Sequence, residues 1–239
     1  MSIIKEISDP LSKILFCNRC DFCGEVIELN ECLCDRCKSL PKIDGEICVL
    51  CGYKKDDCIC KKKRMEYKGI VAPYYYKDSV ITAIYNFKAN DMPFLSKRFG
   101  REVADTVKNR YENIDFDYIT FVPLRPFHQR KRGFNQAQLI ADELSKIINV
   151  DVLDTLKKSR YTGVQHYKSF ENRTAQIYGS YDVKDSAKSK IIDKNILLID
   201  DVKTTGSTLN ECAKMLKIYG AKSVHCATLA LTKKEKSKK

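Results

Sequence analysis

No run of about 18 consecutive apolar residues occurs in the chain, which excludes an apolar helix long enough to cross a bilayer. The opening stretch, MSIIKEISDPLSKILF, alternates apolar and charged residues and lacks the continuous apolar centre of a secretory signal. It reads as a short amphipathic helix, and the chain is expected to be cytoplasmic. Histidine is scarce: His128, His166 and His225 are the 3 present. They have neither metal-ligand spacing nor Ser/Asp partners, so no histidine metal centre and no Ser-His-Asp triad is expected. Acidic residues are outnumbered, 31 against 43 Lys and Arg, for a formal net charge of +12. Residues 1–64 carry 12 basic and 11 acidic side chains, so nearly all of the excess lies beyond them, and the tail 233–239 alone adds five Lys and one Glu. A basic excess favours nucleic acid or phosphorylated ligands. It equally describes a lysine-rich surface held in water.

What is abundant is cysteine, and ten of the 12 precede residue 61. Cys20-x-x-Cys23 with Cys34-x-x-Cys37 has zinc-ribbon spacing, and Cys48-x-x-Cys51 with Cys58-x-Cys60 forms a second four-thiolate set. Gly24 and Gly52 follow the second cysteine of a pair, where a zinc knuckle needs a tight turn. Cys17 and Cys32 are surplus. Disulfides are the rival reading, disfavoured in a cytoplasmic chain. The segment has few large apolar residues, so bound metal would supply folding energy. Two tetrathiolate zinc sites would bring its net charge near −3, from about +1 for residues 1–64. Lys61-Lys62-Lys63-Arg64 closes the segment and reads first as a solvated linker, second as a nucleic-acid contact.

The richest stretch is Asn195 to Thr208, NILLIDDVKTTGST. Ile196-Leu197-Leu198-Ile199 has the content of a buried parallel strand. Asp200 and Asp201 follow, then the polar loop Lys203-Thr204-Thr205-Gly206-Ser207-Thr208. A helix is expected directly after it, with Leu209, Cys212, Ala213, Leu216 and Lys217 at three- and four-residue steps. Open α/β sheets bind ligands at this kind of strand end. Backbone N–H groups of the loop and the helix start attract a phosphate, Gly206 lets the backbone approach it, and the hydroxyls add hydrogen bonds. Asp200 and Asp201 suit sugar hydroxyls or a hard cation such as magnesium. A ribose carrying a 5′-phosphate satisfies both halves. The plain alternative is a buried strand whose acidic end caps a helix.

At 239 residues the chain has room for one or two domains. Glu66 to Tyr76 reads as one strand. Tyr74, Tyr75 and Tyr76 could stack bases, but core and cross-strand packing is the favoured reading. Asp78 is placed as the cap of a helix through Lys88 that carries Ile81, Ile84, Tyr85 and Lys88. Residues 93–111 form another helix with Leu95, Phe99, Val103 and Val107, and Tyr118 to Val122 a strand. The loop after it, Pro123 to Gln136, sets Arg125, Arg130, Lys131 and Arg132 between prolines and a glycine. Arginine suits bidentate phosphate contact, so this loop is an anion site. The following helix presents Ala137, Leu139, Ile140, Leu144 and Ile147. Asp182 to Asp193 reads as a polar surface connection and residues 221–231 as a strand, with Cys212 and Cys226 as core thiols.

The stretch Leu197 to Thr208 resembles the phosphoribosyl-diphosphate motif of type I phosphoribosyltransferases: a hydrophobic strand, two acids, then Thr-Thr-Gly-x-Thr. With the cysteine pairs, Lys88, the Val-Pro-Leu strand end and Arg130, Arg132-Gly133-Phe134-Asn135-Gln136, the chain is similar to the ComF family along nearly its whole length. Arg160, Thr162, Gln165 and Arg173 match that family's Arg-x-Thr-x-x-Gln…Arg stretch, which overlaps the mobile hood of type I enzymes; Gln176 stands where the family usually has Asn. The resemblance implies an α/β fold, a type I phosphoribosyltransferase-like open parallel sheet with flanking helices, preceded by a small cysteine-rich zinc ribbon. The implied division is 1–64, 65–232 and a basic tail 233–239. It implies a competence protein that binds single-stranded DNA and 5-phosphoribosyl 1-diphosphate during DNA uptake, with a helicase-like partner. The alternative is a magnesium-dependent phosphoribosyltransferase of nucleotide metabolism. In either, Asp200 and Asp201 would hold the ribose hydroxyls, Lys203 to Thr208 the 5′-phosphate, and Pro123-Leu124-Arg125 the diphosphate.

Overall fold

The computed structural model describes residues 18–58, 60, 65–89, 92–124, 130, 132–158 and 180–232. The amphipathic start, Cys17, the Lys61–Arg64 linker, Arg125, Lys131, Arg160, Arg173 with most of the expected hood, and the basic tail lie outside the described residues.

The centre is the expected open parallel sheet. In chain order its strands are β3 (Gly69–Val71), β4 (Tyr74–Tyr75), β5 (Tyr118–Phe121), β8 (Asn195–Lys203) and β9 (Ser223–Leu231). The spatial order is β3-β9-β8-β5, with β4 also paired to β9, and every one of these pairings is parallel. β8 and β9 are near-continuous apolar runs because both faces are covered. Residues 66–76 are not one strand. Pro73 has no N–H to give a ladder, and the run divides around it into β3 and β4.

One face carries α2 (Asp78–Ala89), α3 (Leu95–Arg110) and α4 (Gln136–Ile148). The sequence-expected faces of α3 and α4 are the buried ones: Leu95, Phe99, Val103 and Val107, then Ala137, Ile140 and Leu144. α2 is turned relative to its expectation. It buries Val80, Ala83, Ile84 and Phe87 and leaves Ile81 and Tyr85 exposed. Asp78 is the first residue of α2, with φ +50°, rather than the residue ahead of it. On the other face α6 (Ser207–Ile218) buries Leu209, Cys212, Ala213 and Leu216, and Cys212 and Cys226 are core thiols as expected.

Residues 182–193 are more than a polar connection. β7 (Tyr181–Val183) pairs antiparallel with β6 (Leu156–Lys158), and the short α5 (Asp185–Lys188) follows. Val183, Ala187 and Ile191 are buried there. Strands this short carry too few alternations to register as a period.

The cysteine-rich segment packs into the same interior. β1 (Asn18–Arg19) pairs antiparallel with β2 (Val26–Ile27), and α1 (Asp35–Lys38) begins just after Cys34. Phe22 meets Tyr74 and Phe99 edge-on, with centroids 5.2 and 5.3 Å apart. The Ile70 N–H donates to the Val49 carbonyl at 2.9 Å, so the segment occupies the free edge of β3. Tyr74 is a core residue, and Tyr75 donates to Asp57 and accepts from the Lys54 N–H. Packing, rather than base stacking, is the role the structure gives them.

Phe22 is 1% exposed between these rings. Phe22→Ala is expected to cost about 3–5 kcal/mol, measured by urea unfolding of the metal-loaded protein. A loss below about 1 kcal/mol would show that the segment is not fastened through this side chain.

Candidate functional site

β8 lies between β5 and β9 and is hydrogen-bonded on both sides. It runs past the apolar core through Asp200 and Asp201 to Lys203, so the two carboxylates belong to the strand rather than to the loop. The neighbouring β5 ends at Phe121, opposite Ile199, and the Val122 N–H donates to the Ile199 carbonyl at 2.9 Å. That register brings Pro123 and Leu124, both partly exposed, to the same end of the sheet as Asp200 and Asp201.

The two acids sit in different surroundings. Asp201 forms an ion pair with Lys88 of α2 at 2.8 Å. Asp200 keeps some exposed surface but is packed round closely. Removal from water, then the like charge of Asp201, push its carboxyl up to about 7 against an ordinary 3.8. The Asp201 N–H, bonded to Asp200 Oδ1 at 2.9 Å, and the charges of Lys88 and Lys158 pull the other way. Lys88 was visible in the sequence as a lysine in phase with a helix's apolar positions and as part of the family pattern, without a role. Its pairing with Asp201 depends on the α2–sheet packing.

The loop turns where expected. Gly206 is the residue before α6 and has φ +82°, a conformation that strains any side-chain-bearing residue. A Cβ there would also lie 3.2 Å from Lys203 Cε and 3.5 Å from the Tyr67 hydroxyl. Thr204 and Thr205 are exposed, and Ser207 and Thr208 partly so. Thr205 Oγ1 accepts from the Ser207 N–H at 3.3 Å and contacts Ser207 Oγ at 2.9 Å. Hydroxyls and a helix N-terminus therefore converge beside the two carboxylates, as anion recognition requires.

Lys203 departs from its expected place. It is buried, and its ammonium lies 4.6 Å from the centroid of the Tyr53 ring in the cysteine-rich segment. Its stem runs beneath Gly206, away from the exposed hydroxyls of the loop. Asn135 and Gln136, read with the basic loop, are also buried. Asn135 caps α4, accepting from the Ala137 and Gln138 N–H groups at 3.0 and 3.5 Å, and donates to the Val122 carbonyl at 3.0 Å. It ties the end of β5 to the helix. Gln136 accepts from Arg132 at 3.4 Å. Arg130 is exposed, while Arg125, Arg160 and Arg173 lie outside the described residues.

The cysteines fall into the two sets that spacing gave: Cys20, Cys23, Cys34 and Cys37, and Cys48, Cys51, Cys58 and Cys60. Within each set all Sγ atoms lie within 4.8 Å of one another. Tetrahedral thiolates about 2.3 Å from a zinc-sized ion stand about 3.8 Å apart. The separations here include 3.7 Å for Cys23–Cys34, 3.7 Å for Cys48–Cys60 and 3.6 Å for Cys51–Cys58, which fits such an ion. The turns are alike: Gly24 donates to the Cys20 carbonyl and Gly52 to the Cys48 carbonyl, with φ +75° and +77°. Cys32 is exposed and outside both sets. Burial pushes the Cys23 thiol up to about 12; burial acts on Cys48 too, but backbone N–H groups of its turn bring it down to about 7. A bound dication would draw the protons off.

The family model described as Phosphoribosyl transferase domain matches residues 95–239, and the chain belongs to that family. Over most of its length it is similar to Competence protein F of Haemophilus influenzae, 28% identical across 222 residues that cover 89% of this chain and 96% of that protein. It is 28% identical to Competence protein ComFC of Bacillus subtilis, covering 85% of this chain and 86% of the relative. DNA utilization protein YhgH of Escherichia coli K12 is 24% identical, over 84% of this chain and 90% of its own. The resemblance to the ComF family is borne out, in the fold as in the sequence.

Two measurements follow from this geometry. Purified protein is expected to carry two tightly held metal equivalents, counted by elemental analysis, and Cys60→Ser should retain one; a single equivalent in the wild type would remove one site. Because the fold raises the Asp200 pKa, ionising this group opposes folding, and the wild type loses that stability as pH rises from about 4 to about 7. Asp200→Asn has no such loss. Its melting-temperature advantage should therefore grow between about pH 5.5 and 7 and level off above. A constant difference across that range would place the proton elsewhere.

Proposed function

We propose that this is a ComF-type competence protein whose sheet-end site binds 5-phosphoribosyl 1-diphosphate with magnesium, and which handles single-stranded DNA during uptake. The observation that carries the reading is the convergence of Asp200 and Asp201 with the hydroxyl-rich start of α6 at the end of β8. A carboxylate pair beside an anion-binding helix start suits a ligand with vicinal hydroxyls at one end and a phosphate at the other. The names of the relatives support the competence role. We assign zinc to both cysteine sets on their thiolate chemistry and separations.

In this reading Thr204 to Thr208 and the first N–H groups of α6 hold the 5′-phosphate. Asp200 and Asp201 accept hydrogen bonds from the ribose 2- and 3-hydroxyls. Lys88 holds Asp201 in place through their ion pair. Pro123 and Leu124 stand at the same strand end, and the turn they open, with Arg125 by sequence, would take the diphosphate. Bound magnesium would neutralise diphosphate charge. If transfer occurs, positive charge develops on the ribose carbon, and the two carboxyl groups stabilise it by position and field. The alternative, a phosphoribosyltransferase of nucleotide metabolism acting on an amine or base, uses the same residues. Single-stranded DNA would be held by the basic residues, among them Arg130 and Arg132, and by the zinc-bearing segment.

Titration calorimetry with 5-phosphoribosyl 1-diphosphate and magnesium tests the pocket. The wild type should bind, and the Asp200→Asn, Asp201→Asn double variant should lose at least about tenfold in affinity. A zinc-loaded wild type that binds nothing would refute the ligand. Single-stranded DNA affinity should fall steeply with salt and survive Asp200→Asn; equal loss of both ligands would make the pocket itself the DNA site.

A further inference from the structure

Lys203 belongs to the loop motif by sequence yet does not face the loop. Its side chain is 6% exposed. Its stem passes under Gly206, with Cε 3.2 Å from where a Cβ would stand, and its ammonium ends 4.6 Å from the Tyr53 ring centroid. Tyr53 is built into the second cysteine set: its carbonyl accepts the Cys48 N–H at 2.8 Å, and Cys51 is two residues before it. A short circuit closes the arrangement. The Tyr53 hydroxyl donates to the Thr232 carbonyl at 2.7 Å, the Thr232 N–H donates to the Lys203 carbonyl at 2.9 Å, and the Lys203 ammonium returns to the Tyr53 ring.

The charges complement one another. Four thiolates around one dication leave a net charge of about −2, and a buried ammonium on an aromatic face gains from an anionic neighbourhood. Metal also fixes the Cys48–Gly52 turn, and with it the Tyr53 ring. The ring positions Lys203, and the stem of Lys203 floors the one residue of the loop held at φ +82°.

We propose that Lys203 is a positioning residue linking the second cysteine set to the phosphate loop, so that metal at Cys48, Cys51, Cys58 and Cys60 and a 5′-phosphate at Thr204–Thr208 each tighten the other. The phosphate half of this link rests on the ligand reading above. Linkage is reciprocal, so either site reports it. Loss of metal from the second set, by chelation or thiol oxidation, would then loosen ligand binding at the sheet end.

The test follows metal transfer from the full-length, zinc-loaded protein to a zinc-selective chromogenic chelator. The phase missing in Cys60→Ser identifies the second set. Lys203→Met keeps the length of the side chain and removes its charge. Without ligand, it should release the second-set metal several-fold faster than wild type and the first-set metal at an unchanged rate. With 5-phosphoribosyl 1-diphosphate and magnesium, wild-type release from the second set should slow on the order of tenfold, and the Lys203→Met rate should not. Tyr53→Leu, which retains the lysine but removes its ring, should behave like Lys203→Met, and Lys203→Arg should restore most of the wild-type rate. Second-set release at the wild-type rate in both Lys203→Met and Tyr53→Leu would overturn the link. So would equal slowing by ligand in wild type and Lys203→Met. If calorimetry shows that the wild type does not bind the ligand, the ligand reading falls, while the ligand-free rates still decide whether Lys203 supports the metal site.

Discussion

Two carboxylates side by side on one strand repel each other, and burying either raises the cost. Most of the architecture around the end of β8 answers that constraint. Pairing with β9 on both sides of Asp201, at Asp200 and Val202, and with β5 up to Ile199 leaves the backbone little freedom to swing the acids apart. Alternation along the strand sends them in opposite directions. Lys88 reaches in from α2 to take Asp201, and Asp200, more enclosed, holds its proton up to near neutral pH. The pair thus offers one carboxylate held by an ion pair and one group whose charge a bound cation or cationic ligand would fix.

The second constraint is the free edge of β3. An open parallel sheet leaves unpaired backbone groups at each side. Here the cysteine-rich segment covers that edge through Val49 and is held by Phe22 and Tyr53 against residues from distant parts of the chain. Phe22, Ile43 and Tyr53 join the buried clusters of the sheet, while its own interior is organised around thiols. It closes the sheet while resting on it.

The legible parts of the sequence were those with a strong local code. Ile196 to Ile199 announced a buried strand, the two acids and the Thr/Gly loop announced its ligand end, and cysteine spacing gave both four-thiolate sets. What escaped the sequence depended on tertiary direction. Lys203 sits inside a loop motif but points beneath it. Asn135 sits among arginines but serves as a helix cap tied to Val122. Lys88 looked like part of an amphipathic face and is a partner of Asp201. Residues 182–193 looked like a connection because β6 and β7 have three residues each, too few for a period to show.

The contact between Tyr53 and Thr232 spans 179 residues. At synthesis rates of about 5–20 residues per second, roughly ten seconds or more separate the emergence of these two partners from the ribosome. The cysteines are therefore complete, and open to solvent, long before the sheet they rest on exists. Metal capture can be an event of the nascent chain, with the order of translation setting the order of assembly: thiolate turns first, then the sheet, and the circuit through Lys203 only when β9 arrives.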